Sequence, residues 1–108
     1  MYDRSRNFLE CHIAGFTYYD GLDVIEELSL GTTVNLKLEP DNPYDPNAVA
    51  VYYEDTKLGF IPRVKNHTIS QLLHFGHVDL FDVKINCRNL DENPEHQFRI
   101  VVKIKDNR

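Results

Sequence analysis

Residues 33–39 alternate strictly, with Val34, Leu36 and Leu38 on one side and Thr33, Asn35, Lys37 and Glu39 on the other. That period of two predicts a half-buried strand. It returns twice later in the chain. Phe81, Val83, Ile85 and Cys87 alternate with Asp82, Lys84, Asn86 and Arg88, and Phe98, Ile100, Val102 and Ile104 alternate with Arg99, Val101, Lys103 and Lys105. Each stretch predicts a strand with one wet face. Residues 48–53 instead form a nearly continuous apolar run, which predicts a central strand covered on both faces. A turn at 54–57 then leads into a short strand at 58–61, closed by Pro62. Residues 8–16 have strand-like composition, with Ala14-Gly15 suited to a bulge or a close backbone approach.

Two segments leave this period. Leu22, Ile25 and Leu28, spaced by three, predict one or two helical turns ended by Gly31. Asn66 as N-cap, Ile69, Leu72 and Leu73 on one face and Gly76 as a stop predict a helix over 67–75. There is no βα alternation, repeat or linker. Six strands with one firm helix and one short one, in a single domain over 1–108, predict a mainly β fold: an antiparallel barrel or strongly bent sheet with helices as plugs.

Composition narrows the partners. A chain of 108 residues can bury most of its apolar surface without metals or disulfides. Its net charge of −5 argues against a partner held by a broad field, such as long duplex DNA or an anionic membrane. Any nucleic-acid contact must then be local. Charge is uneven, however, with Asp20, Asp23, Glu26 and Glu27 early and Arg99, Lys103, Lys105 and Arg108 late, so a basic face on an acidic protein is open. Residues 1–7 lead into no apolar run, so neither a signal peptide nor a membrane helix is expected, and the expected compartment is the cytoplasm. Cys11 and Cys87 form no framework and read as reduced thiols; pairing them would require neighbouring strands.

Catalytic and metal chemistry find little support. His12, His67, His74, His77, His96 and the two cysteines lack the close paired spacing of a zinc site. No nucleophile, base and orienter can be named, phosphate-loop glycines are absent, and neither a cofactor nor a reaction is expected.

The most informative stretch is Glu39-Pro40-Asp41-Asn42-Pro43-Tyr44-Asp45-Pro46-Asn47-Ala48-Val49-Ala50-Val51. Its prolines fix φ, and Asp41, Asn42, Asp45 and Asn47 can tie their side chains to the backbone. Such a loop holds Tyr44 and Asp45 in place beside a strand, and stiff loops often carry binding residues. Tyr18, Tyr19, Tyr52, Tyr53 and Phe60 also lie beside turns. For Tyr52 and Tyr53 core or rim packing is the simpler reading; for Tyr44 a stacking role and a packing role stand about even. Arg63, just after Pro62, reads equally as a phosphate ligand or a solvated side chain.

Three blocks resemble the HIRAN domain family: Ile13-Ala14-Gly15-Phe16-Thr17-Tyr18-Tyr19-Asp20-Gly21, then residues 38–51, then Lys57-Leu58-Gly59-Phe60-Ile61-Pro62-Arg63. The order Pro, Asn, Pro, Tyr, Asp, Asn, Ala, Val in the central block is specific. Members occur at the front of helicase-like DNA-remodelling enzymes and as small bacterial proteins of this length. The resemblance implies a modified OB-like or SH3-like small β-barrel that recognises the 3′ end of single-stranded DNA in repair or replication-fork processing. It implies that Tyr18 and Tyr44 form a platform for terminal bases, that Asp45 accepts from the free 3′-hydroxyl, and that Arg63 meets a phosphate. Tyr19, Phe60 and Lys65 complete the expected surface. Thr17 and Phe60 depart from the family, standing where a basic residue and a polar ring are often found. A second reading is a protein-interaction domain that recruits a helicase or nuclease through the acidic segment or an exposed sheet edge.

Overall fold

The computed structural model describes residues 6–77, 80–93 and 96–104. The opening residues 1–5, positions 94–95 of the polar connection, Lys105 and Arg108 lie outside them. Six strands form: β1 (Arg6–His12), β2 (Thr33–Leu38), β3 (Val49–Tyr53), β4 (Thr56–Phe60), β5 (Phe81–Arg88) and β6 (Phe98–Ile104), with α1 (His67–His74) between β4 and β5. All ladders are antiparallel, in the order β1-β6-β5-β2-β3-β4. The sheet curls into a half-barrel, the OB-like form expected.

The two edges of the curl meet. Beyond β1, Ala14 donates to the Phe60 carbonyl at 2.8 Å and accepts from the Phe60 N–H at 2.9 Å. A Cβ on Gly59 would collide with the Ala14 carbonyl oxygen, so glycine permits this approach. The core lies inside the curl, with Phe16 against Phe98 at 4.9 Å between ring centroids and Ile13, Leu28, Leu58, Ile69, Ile85 and Ile100 buried around them. Val49, Ala50 and Val51 are all buried, as a strand covered on both faces requires.

Local chemistry explains where elements stop. The first strand ends at His12 rather than running to Phe16, because Gly15 turns to φ 72° and its carbonyl accepts from Tyr18 N–H. A 3-10 turn, Phe16–Tyr18, and a kinked 3-10 segment, Asp20–Glu27, follow. The helical turns expected there thus form as 3-10 turns broken at Val24, with Leu22 exposed before the break and Leu28 buried just after the segment. Helix α1 closes on Gly76 at φ 86°, with His77 N–H donating to Leu72 and Gly76 N–H to Leu73, the paired bonds of a Schellman stop. At its other end, Asn66 occupies the N-cap position but makes no side-chain cap bond.

Cys11 is buried and Cys87 half-buried, both unpaired, and β6 lies between their strands. Burial pushes the Cys11 thiol up to about 11, against an opposing pull from Lys65 and Arg99. Among the described residues no helix is long and apolar enough to cross a membrane, and no three His, Cys, Asp or Glu side chains are grouped to hold a metal ion.

Candidate nucleic-acid interface

The proline-rich loop joins the neighbouring antiparallel strands β2 and β3, with the Glu39 N–H donating to the Ala48 carbonyl at 2.9 Å across its base. Asn42 organises its first half: its Oδ1 accepts from the N–H of Tyr44 at 2.9 Å and of Asp45 at 3.1 Å. Asp45 organises the second, its Oδ1 accepting from Asn47 N–H at 2.9 Å. These are Asx-turns, which hold the backbone by side-chain bonds close in sequence. Glu39 anchors the loop to the sheet. It accepts from Asn42 Nδ2 at 3.3 Å through one oxygen and from Lys57 Nζ at 2.7 Å through the other.

Lys57 serves two neighbours besides Glu39. Its ammonium lies 4.6 Å from the Tyr19 ring centroid and 4.3 Å from that of Phe60, within the range of cation–π attraction. Those rings meet edge to face at 5.5 Å. One lysine therefore ties the aromatic wall to the loop.

Between wall and loop lies a cleft of about 260 Å³, with Ala14, Ala48, Phe60 and Ile61 supplying apolar surface and Tyr19, Tyr44, Asn42, Asp45, Arg63 and Asn66 the polar and aromatic groups. Pockets for drug-sized ligands run to about 300–1,000 Å³, so this one suits part of a nucleotide and not a length of strand. Tyr44 is 85% exposed, so nearly its whole ring is free to stack.

Asp45 is the fixed point of the cleft. Its Oδ2 accepts from Asn66 Nδ2 at 2.9 Å, and Arg63 Nε stands 3.9 Å from the same oxygen. Hydrogen bonds from Asn66 and then Asn47, with Arg63 behind them, hold its carboxyl below the usual carboxylate value. It is ionised at neutral pH. A carboxylate has about four lone-pair positions, and the hydrogen bonds from Asn47 and Asn66 leave acceptor capacity on this cleft-lining group. Its side chain is only 15% exposed, whereas Arg63 is 76% exposed, an ion pair too open to be strong. The guanidinium keeps donors for another anion.

The expected site residues fall into three groups. Tyr19, Tyr44, Asp45, Phe60 and Arg63 line the cleft. Tyr18 is not among the lining residues, although its ring is 79% exposed. Lys65 also lies outside the lining, its Nζ donating to the Glu10 carbonyl at 3.1 Å. Asn66 was legible only as a helix cap. A cap residue with Ser, Asn or Asp chemistry is a spare hydrogen-bond donor or acceptor whenever the fold offers something better.

The HIRAN domain family model matches residues 7–105. A crystal structure of a protein from Lactobacillus plantarum superposes with a TM-score of 0.75 at 21% identity, over 95% of this chain and 97% of that one. The crystal structure of the HIRAN domain of human HLTF superposes with a TM-score of 0.65 at 19% identity, over 95% of this chain and 81% of that one. At such identities the likeness is one of fold. No curated protein matches in sequence.

Proposed function

The chain belongs to the HIRAN domain family, a family of DNA-binding domains, and on that premise we propose that its cleft takes the unpaired 3′ end of a single DNA strand. The observation that carries this reading is the ionised, doubly anchored carboxylate of Asp45 beside the free ring of Tyr44 and the free donors of Arg63. An ionised carboxylate accepts from a terminal hydroxyl and repels a phosphate in the same place, so one side chain separates an end from a continuous strand. Tyr44 stacks on the terminal base, Tyr18 offers a second exposed ring nearby, and Arg63 meets the adjacent phosphate. Stacking tolerates any base, as an end reader requires.

In this role the protein is a non-enzymatic module of DNA repair or replication-fork processing, serving a helicase or nuclease that makes or consumes such ends. Fluorescence anisotropy on short strands at low salt tests it. Strands ending in a 3′-hydroxyl should bind at least about tenfold tighter than the same strands ending in a 3′-phosphate, the scale of a like-charge clash. Asp45→Asn should erase most of that difference. Equal binding of both ends by the parent protein would remove the proposal.

A further inference from the structure

Outside the cleft, a second set of side chains converges on the end of β1. Cys11 and Ile13 point into the core, so His12 and Ala14 share the outward side of the opening strand. Ala14 lines the cleft; His12 lies two extended residues back, about 7 Å away. Arg63 and Lys65 likewise bracket one 3-10 turn, the first lining the cleft and the second reaching back to the Glu10 carbonyl. Arg99 stands opposite His12 in the β1–β6 register. His12 Nε2 lies 3.1 Å from His96 Nδ1, with the rings edge to face at 4.3 Å.

Four basic side chains thus gather, and none of them forms an ion pair with an acid among the described residues. The ion pairs among the described residues are Lys57–Glu39 and Arg63–Asp45. Glu10, two residues before His12 on the same side, is exposed and forms no ion pair among the described residues. His12 Nδ1 is buried without a partner. Packing explains neither the unneutralised charge nor the orphaned nitrogen, whereas an entering anion would answer the charge directly.

We propose that His12, His96, Lys65 and Arg99 form a second anion site, which takes a backbone phosphate about one or two nucleotides 5′ of the end seated in the cleft. This rests on the strand-end reading and extends it from a terminal nucleotide to a short tract. In the free protein, burial and then the charges of His96, Arg99 and Lys65 hold His12 below its usual pKa. A bound phosphate opposes those charges, so binding takes up a proton at His12; the other titratable groups beside it on its own strand are Glu10 and the neutral Cys11 thiol. Affinity for longer strands therefore rises on acidification through the histidine range.

The test compares 3′-hydroxyl oligothymidylates of two and six nucleotides, titrated into the full protein and followed by anisotropy and by NMR of the histidine rings. The hexamer should shift the His12 and His96 resonances and the dimer should not. Lys65→Gln and Arg99→Gln, checked for an unchanged melting temperature, should each weaken hexamer binding several-fold and flatten its salt dependence by about 0.7 in log–log slope, leaving the dimer within twofold. His12→Gln, checked likewise for an unchanged melting temperature, should remove the gain in hexamer binding between pH 7.5 and pH 5.5. Loss of affinity at both lengths alike, or unmoved histidine resonances, would overturn the proposal. A hexamer that binds equally with 3′-hydroxyl or 3′-phosphate, yet still depends on Lys65 and Arg99, would refute the cleft reading and not the phosphate site.

Discussion

The cleft and the basic cluster meet where β1 ends, His12 in the cluster and Ala14, two residues on, in the cleft, yet their polar groups are used in opposite ways. In the cleft nearly every charge is answered from within: Asp45 by Asn66 and Asn47, Lys57 by Glu39. In the cluster Lys65 and Arg99 stand by two histidines, one with an unpartnered ring nitrogen. Internal satisfaction fixes geometry and so suits discrimination; unsatisfied charge leaves attraction for an incoming anion and so suits affinity. An acidic protein can separate the two by confining its attraction to one place.

The largest expected effect comes from breaking both regions together. Gly59→Ala forces a methyl group into the Ala14 carbonyl, parting the segment that carries His12 and Tyr19 from β4. It should cost about 1–3 kcal/mol of stability, typical of overpacking, and calorimetry should show a lower melting temperature together with loss of both end preference and length dependence.

Tyr44→Ala breaks the cleft alone. Because the ring is exposed, melting should be unchanged while DNA binding weakens by about 1–3 kcal/mol, the value of one stacked base; equal affinity for parent and variant would end the stacking role. Asn66→Ala is subtler. It removes the first support of the Asp45 carboxylate, so the Asp45 pKa, read by carboxyl NMR, should rise toward its ordinary value of 3.8 and the preference for a hydroxyl end should shrink several-fold. A depressed carboxylate contributes stability that is complete above its unfolded pKa and lost as pH falls through the folded one. Melting followed from pH 5 down to pH 2 should therefore drop less steeply in Asn66→Ala than in the parent. The smallest effect, and the sharpest divider of the two regions, is the flattened salt dependence of Lys65→Gln, which should leave end preference untouched.

Much of this was legible before any coordinates. The alternating stretches became β2, β5 and β6, the unbroken apolar run became β3, and Gly76 stopped α1. The prolines and Asx residues stiffened the loop as their chemistry requires, with Asn42 and Asp45 making the ties. Other features were not legible. Tyr18 and Tyr19 are indistinguishable as neighbours in a chain, and only the turn they end decides which lines the cleft. Asn66 read as a cap, because capping is a local bond and its partner Asp45 lies 21 residues away. The late cations left a basic face open, and the structure sets Arg99 near His12 and Lys65 while Lys103 lines a separate depression with Asp82 and Lys84.

The sequence by itself determined where strands run, where they stop and which loop is rigid, because period, proline and glycine act through bonds only a few residues long. The tertiary structure alone decided that Asn66 holds Asp45, that Lys57 joins two rings to Glu39, and that His12 meets His96 across 84 residues. Those contacts depend on strand order, on register and on one close approach at Gly59, and no local rule of chain chemistry encodes them.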